Sequence, residues 1–424
     1  MDILEQAFSL LESRYLCHHC LGRQFAMLAQ GITNEVRGKS IKLLLLMERY
    51  KSFLSGSTTN LHLYHSQTRS LSLKREDKCY LCEDQFDNIE EFSRLINDKM
   101  SEYEYNSFLI GISLPPIVEE KEDEMRSKFK LSWGESIRSE FSRELGKKIV
   151  EVTGKTVDHK RPDLQVIINP FTRHINIKAN SLYIGGRYKK LVGGIPQFNQ
   201  LCWKCKGEGC VECNGTGKLF LQSIEEIMSG PIIKATEGTD AKLHTSSWEN
   251  IGSRVLGVGR PFILEVKNPI KRFVDLDKFA EDVNIHSEKR LEISYLSLVT
   301  KKFVKNLKMK GEYEKLYRAI IEFEQSISDD LLKMMEKNLS NITIKQTNQS
   351  RKGRKKILHS VSIKRLGINI VEMMIKSQGG INIEGFITGE KVRTSPNIGE
   401  IVGIPIKCFS YDIIGIPKRL FIDE

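Results

Sequence analysis

Apolar residues recur at helical spacing over residues 2–13, where Ile3, Ala7, Phe8, Leu10 and Leu11 share one face. The pattern predicts further helices around Ile41 to Leu54 and over 86–100. From Phe108 to Ile117 the chain reads as a strand that ends at Pro115-Pro116. An acidic helix from Glu119 to Lys130 and a longer one from Glu135 to Val152 follow. Alternation resumes at Leu164 to Ile168 and His174 to Ile177, so an α+β module is expected over roughly 86–200. Beyond residue 218 strands dominate, at 262–267, 292–304, 341–347, 357–364, 369–375 and 401–414. One helix, from about Glu314 to Glu336, interrupts them. The fold class predicted is α+β.

A chain of 424 residues with 40% hydrophobic and 28% charged residues is long enough for several ordinary globular cores. The longest purely apolar run, Leu43 to Met47, falls far short of the ~20 residues of a membrane span. Met1 leads into Asp2, Glu5 and Glu12, not into the basic-then-apolar pattern of a signal peptide. A cytoplasmic protein with no membrane partner is expected.

Cysteine usage adds the first chemistry. Eight of the nine cysteines form CxxC pairs, and only Cys408 stands alone. Cys202, Cys205, Cys210 and Cys213 make two knuckles in a glycine-rich stretch, a spacing that suits a closed tetrahedral thiolate site for structural Zn²⁺. Cys17, Cys20, Cys79 and Cys82 form two more pairs, and neither pair alone saturates a tetrahedral metal. Together they predict a second zinc, with His18 and His19 as the other available donors.

The net charge of +11 is concentrated in three runs: Lys301, Lys302, Lys305, Lys308 and Lys310; Arg351, Lys352, Arg354, Lys355 and Lys356; and Arg187, Lys189 and Lys190 around Tyr188. Runs of like charge are often only solvated faces. Their accumulation favours a polyanion, because neutralised phosphates release counterions. An aromatic among cations suits unpaired RNA better than duplex, so Arg187, Tyr188, Lys189 and Lys190 are read as RNA-binding and no DNA partner is expected.

Three stretches together carry a family resemblance. They are Arg161-Pro-Asp163 with the strand Ile175 to Lys178 and the Gly186-Arg-Tyr188-Lys-Lys190 string, then His244 through Val266, and finally Gln378-Gly-Gly380 with Arg393-Thr-Ser-Pro396. The first resembles the end of a THUMP module, an RNA-binding α+β fold. In this order, with the zinc knuckle between the first two, the chain resembles the Pus-ten family of tRNA pseudouridine synthases. The resemblance covers essentially the whole chain. It implies an N-terminal zinc module at 1–85, a THUMP-like domain at 86–200, a zinc-knuckle linker at 201–218 and a synthase-type domain at 219–424. The last would have a mixed, mostly antiparallel sheet. It further implies isomerisation of uridines 54 and 55 of the tRNA TΨC arm, without an organic cofactor, by an aspartate that attacks a flipped-out nucleoside.

The chain departs from that family where the chemistry would be. The family string His-Gly-Ala-Gly-Arg-Glu-Asp ends on the nucleophile, and the matching positions here are His244, Thr245, Ser246, Ser247, Trp248, Glu249 and Asn250. An amide is a poor nucleophile and no general base. Glu249 is adjacent and, on an extended segment, points to the opposite face, while Asp240 lies ten residues earlier. Tyr317, in Lys315-Leu-Tyr317-Arg318, matches the family's pocket tyrosine, although its helical spacing would place it as one core position of the 314–336 helix. Tyr317, Asn382 and Arg254 are the residues expected to bind substrate. A Tyr-x-Lys pattern is replaced by Asn382 and Glu384. The expectation is a protein that binds the tRNA T-arm elbow with an impaired pocket. The rivals are an active synthase and a zinc-dependent protein-interaction or tRNA-folding module.

Overall fold

The computed structural model describes residues 2–55, 78–309, 314–347, 353–389 and 393–415, and divides the chain into Met1–Asn180 and Ser181–Glu424. No described helix is long and apolar enough to cross a membrane.

In the first unit, α1 (Ile3–Ser13), α2 (His18–Gly22) and α3 (Asn34–Leu54) surround the Cys17/Cys20 knuckle. Helices α2 and α3 meet through two glycines: a Cβ on Gly38 would lie 1.9 Å from the His18 carbonyl oxygen, and one on Gly22 1.8 Å from that of Asn34. Then come α4 (Ile89–Met100), β1 (Ser107–Ile112), α5 (Pro116–Phe129), α6 (Ile137–Thr153), β2 (Thr156–Val157), β3 (Leu164–Asn169) and β4 (His174–Ala179). Strand β1 stops at Ile112, short of the predicted Ile117, because Pro116 opens α5 with its φ already helical. The sheet runs β2–β1–β3–β4, with β1 parallel to both neighbours and β3–β4 antiparallel. One continuous core joins it to the cysteines through Phe86, Phe92, Phe108 and Phe141.

The second unit begins with β5 (Leu182–Lys190), followed by α7 (Ile224–Thr236), β6 (Asp240–Thr245), β7 (Arg254–Lys267), α8 (Leu276–His286), β8 (Leu291–Val299) and α9 (Lys301–Met309). Next are β9 (Lys315–Phe323), α10 (Asp329–Leu339), β10 (Ile342–Thr347), β11 (Gly353–Arg365), β12 (Ile370–Ser377), α11 (Ile383–Thr388), β13 (Arg393–Ser395), α12 (Ile398–Val402) and β14 (Ile406–Gly415). These strands form one sheet in the order β13–β10–β11–β12–β9–β14–β7–β5–β8, with β6 alongside β7. All pairings are antiparallel except β7–β14, which is parallel. That parallel seam joins the two halves of the sheet.

Several expectations change here. The strand Leu182–Lys190, read with the preceding module, hydrogen-bonds to β7 and β8, and the zinc knuckle lies inside the second unit, closed by a Leu201–Lys218 bridge. The predicted 314–336 helix is a strand followed by a helix. Lys315, Tyr317, Ala319, Ile321 and Phe323 bury alternate positions, and α10 starts only at the Ser328 cap. Likewise the strand expected over 292–304 ends at Val299, where Phe303, Val304 and Leu307 take up helical spacing. The 401–414 strand is shortened by α12.

The Gly22–Gly38 crossing generates a prediction. Gly38→Ala should lower stability by about 3 kcal/mol, since the added carbon meets backbone and not a movable side chain. The urea midpoint of the first unit's unfolding transition measures it; an unchanged midpoint would refute the close approach.

Candidate active site

The loop between β6 and β7 sends neighbouring side chains in opposite directions. Glu249 turns inward, with its side chain 1% exposed. Its carboxylate meets Lys190 Nζ at 2.7 Å and Arg260 Nη1 at 3.3 Å, and accepts the Tyr188 hydroxyl at 2.7 Å. Lys190 also donates to the carbonyls of Ile195, Asn250 and Ile251 at 3.3, 3.1 and 3.1 Å. Burial holds the Lys190 ammonium below its usual pKa against the pull of Glu249, and pushes the Tyr188 phenol up, reinforced by Glu249. The Gln197 amide closes the group, accepting from the Glu249 N–H at 3.0 Å and donating to the Tyr188 hydroxyl at 3.1 Å.

The RNA-binding reading of residues 187–190 is corrected by this arrangement. Arg187, Tyr188 and Lys190 are buried; Arg187 donates to the Gly259 carbonyl at 2.8 Å, and half-buried Lys189 pairs with Glu292 at 2.8 Å. Strand β5 lies between β7 and β8, and Arg187 and Lys190 serve the interior. Among the other runs, Lys301, Lys302, Lys305 and Lys308 are exposed on α9, as are Arg354 and Lys355 on β11, whereas Lys356 is buried. Lys310, Arg351 and Lys352 lie outside the described residues.

Asn250 faces outward into a cavity of about 410 Å³. One wall is the loop, with Ser247 and Trp248; a second is β9, with Lys315 and Tyr317; a third is Gly380 to Ile383; and β14 contributes Tyr411 and Ile413. The strand register puts Tyr317 beside Ile413 and Tyr411 beside Ala319, so both tyrosines share the cavity face, with ring centroids 6.3 Å apart. Burial pushes the Tyr317 phenol up to about 12 and raises that of Tyr411 as well. Asn250 Oδ1 accepts from the Gly252 N–H at 2.8 Å, and its Nδ2 donates to Glu384 Oε2 at 3.1 Å. Trp248 is 78% exposed at the cavity, edge-on to Phe198 at 5.5 Å.

Ser247 Oγ accepts from Lys315 Nζ at 2.9 Å and from Arg260 Nη2 at 2.8 Å. Burial lowers the Lys315 pKa to about 7, helped by Arg260 and Lys356 and opposed by Glu249.

The other predicted site residues divide. Asn382 lines the cavity but also caps α11, accepting from the Gly385 N–H at 2.7 Å. Arg254 does not line it. Its guanidinium makes two 2.8 Å bonds to Asp412, which also accepts from Arg318 at 2.8 Å, tying β7, β14 and β9 on the face away from the tyrosines. Both arginines hold the Asp412 pKa down against its burial. Asp240 is exposed and bonded to Lys267 at 2.7 Å, and is not among the cavity residues. Tyr411 and Ile413 went unnoticed in the sequence; their alternation is visible there, but nothing local says which face meets Asn250.

The eight paired cysteines form two groups, each with its sulfurs within 4.8 Å of one another, and either could hold a metal ion. Sulfur–sulfur distances of 3.6 Å (Cys17–Cys82), 3.8 Å (Cys202–Cys210) and 3.7 Å (Cys205–Cys213) match the roughly 3.8 Å edge of a tetrahedron with 2.3 Å metal–sulfur bonds. Backbone N–H groups of Gly209 and Gly217 point at Cys205 and Cys213 sulfurs at 3.2 Å, which favours thiolates. His19 is not part of the group: it stacks on Phe86 and bonds Glu140 at 2.9 Å.

Comparison with known proteins is decisive at this point. The model described as Pus10, C-terminal, matches residues 183–417, more than half of the chain, and that of the archaeal Pus10 THUMP domain matches 92–169. The chain belongs to the Pus10 family. The Pus10 tRNA pseudouridine synthase of Methanocaldococcus jannaschii is 34% identical, covering 100% of this chain and 96% of its own. Those of Methanothermobacter marburgensis (32%; 98% and 99%) and Pyrococcus furiosus (31%; 98% and 98%) are similarly collinear. The C-terminal Pus10 match starts at residue 183, one residue into strand β5 of the second unit.

Glu249 generates the test of this site's foundation. Glu249→Gln should cost about 3–5 kcal/mol, because Lys190 and Arg260 would lose their buried counter-charge. A urea midpoint shift below the equivalent of 1 kcal/mol would show that the carboxylate carries no such burden.

Proposed function

We propose that this Pus10-family protein binds the T-arm of tRNA at uridines 54 and 55 and does not isomerise them by carboxylate attack. The observation that carries the reading is Asn250: the family's nucleophile position faces the cavity, and it holds a neutral amide whose nitrogen is engaged by Glu384. Glu249 offers no rescue, since it is buried against Lys190 and Arg260. Tyr317 and Tyr411 leave a cavity suited to a flipped, stacked base, and the exposed lysines of α9 suit phosphates. The THUMP-type unit supports an RNA partner. Both four-cysteine clusters are read as structural Zn²⁺ sites, closed by four thiolates and hence without an open position for chemistry.

An unmodified tRNA transcript should bind and gain no pseudouridine. Modification of the T loop by the unaltered protein would end the reading. Asn250→Asp alone would set a carboxylate beside that of Glu384, about 3 Å away, and neighbouring carboxylates cannot both ionise readily. Isomerisation is therefore expected from Asn250→Asp combined with Glu384→Gln, on the order of tenfold above the single variant at pH 7. Equal rates would mean that Glu384 does not set the state of position 250.

Metal analysis of the purified chain should give about two zinc ions per molecule. A value of one would remove the zinc from one cluster, and cysteine-to-serine changes in each would say which.

A further inference from the structure

The cavity has lost a carboxylate nucleophile, yet it contains an oxygen nucleophile with an adjacent base. Ser247 lines it, and its hydroxyl touches both the Lys315 amine at 2.9 Å and the Arg260 guanidinium at 2.8 Å. Lys315 also lines the cavity and is fixed at the start of β9, two residues before Tyr317. A serine hydroxyl is a weak nucleophile until a neighbouring base takes its proton, and an amine can do so only when it is neutral. Burial supplies that condition. The charged groups facing Lys315 are Arg260 from β7, Glu249 from the loop and Lys356 from β11, and the two cations outnumber the single carboxylate. The carboxylate is itself already bonded to Lys190 and Tyr188. Burial thus holds the amine near pKa 7, low enough for the neutral form to be present at neutral pH. Arg260 stays beside Oγ as a fixed cation for the negative charge that develops there as the proton leaves.

We propose that Ser247 and Lys315 form a nucleophile–base pair that adds the serine oxygen reversibly to C6 of a pyrimidine base held in this cavity. The proposal rests on the reading that an unpaired uridine enters there. C6 of uracil is electrophilic because it is conjugated to the C4 carbonyl. As the Oγ–C6 bond forms, the Ser247 proton passes to the Lys315 amine, and the C5–C6 π pair moves through C4 onto O4 as an enolate. A proton then returns to C5. The net change is addition of Ser O–H across the C5–C6 double bond. Nothing is oxidised or reduced and nothing leaves. The N1–C1′ bond stays intact, so the step captures the RNA covalently without making pseudouridine.

The test uses the full zinc-loaded chain and a T-arm RNA hairpin in which 5-fluorouridine replaces the two loop uridines, since fluorine at C5 makes C6 more electrophilic. Denaturing gels and peptide mapping should find an RNA adduct on Ser247. It should be lost in Ser247→Ala and fall at least tenfold in Lys315→Met, and its rate should rise as pH passes through about 7. Hairpin binding is measured in parallel under native conditions. Tight binding without an adduct, or an adduct mapped elsewhere, overturns the proposal and leaves the RNA-binding reading in place. If the hairpin does not bind, the RNA-binding reading fails instead. A fluorophosphonate probe then decides about the pair itself: pH-dependent labelling of Ser247 that disappears in Lys315→Met sustains the activated serine, and no labelling refutes it. Thermal melts of both variants, expected within a few degrees of the parent, guard against loss of fold.

Discussion

The buried carboxylate of Glu249 is the interaction on which the second unit's chemistry depends. Two cations, Lys190 and Arg260, are taken out of water on neighbouring strands and tolerated there because one carboxylate serves both. Lys190 in turn holds the carbonyls of Asn250 and Ile251, and Arg260 holds the Ser247 carbonyl, so the loop is fixed from below at several points. With Glu249 drawn inward, the neighbouring residues Trp248 and Asn250 have only the outward side left. The orientation of the cavity wall is thus a consequence of charge burial one residue away.

The sheet supplies the opposite wall by the same division of faces. Arg254, Arg318 and Asp412 tie β7, β9 and β14 on one face, which leaves Tyr317, Tyr411 and Ile413 on the other. This junction is where the parallel pair β7–β14 joins two antiparallel halves. A cavity there draws side chains from positions 247 to 413 of the sequence, and no single segment contains enough of it to reveal its contents. The exchange at its heart is likewise distributed. Asn250 and Glu384 lie 134 positions apart and share a hydrogen bond, so two distant segments meet at this cavity. An amide facing a carboxylate is a stable pair. Two carboxylates at that spacing would share a proton.

Much of this was legible in the chain itself. The CxxC pairs gave both cysteine groups, because four thiolates at such spacings have few other arrangements that saturate a metal. The predicted helices of the first unit agree with their apolar periodicity to within a few residues, apart from α3, which starts seven residues earlier, while the short α2 was not predicted at all. The strand β9 was misread because Lys, Glu and Leu are good helix formers, and their local preference concealed a period of two that only burial reveals. The string at 187–190 was misread for a related reason. Lysine and arginine are usually solvated, and sequence carries no sign that a carboxylate 59 residues beyond Lys190 will pair with it.

What the sequence determined by itself, then, is local or covalent: cysteine spacing, helix periodicity, the strings that resemble the family, and the amide side chain at position 250. These need only neighbouring residues to be read. The tertiary structure alone decided which cations are solvent-facing and which are buried, that Glu249 turns away from the cavity, and that Glu384 meets Asn250. It also brought Ser247 to Lys315. Each of these brings together segments distant in the sequence, fixed by the sheet that positions them and by the cost of burying charge without a partner, and neither is encoded at any one position.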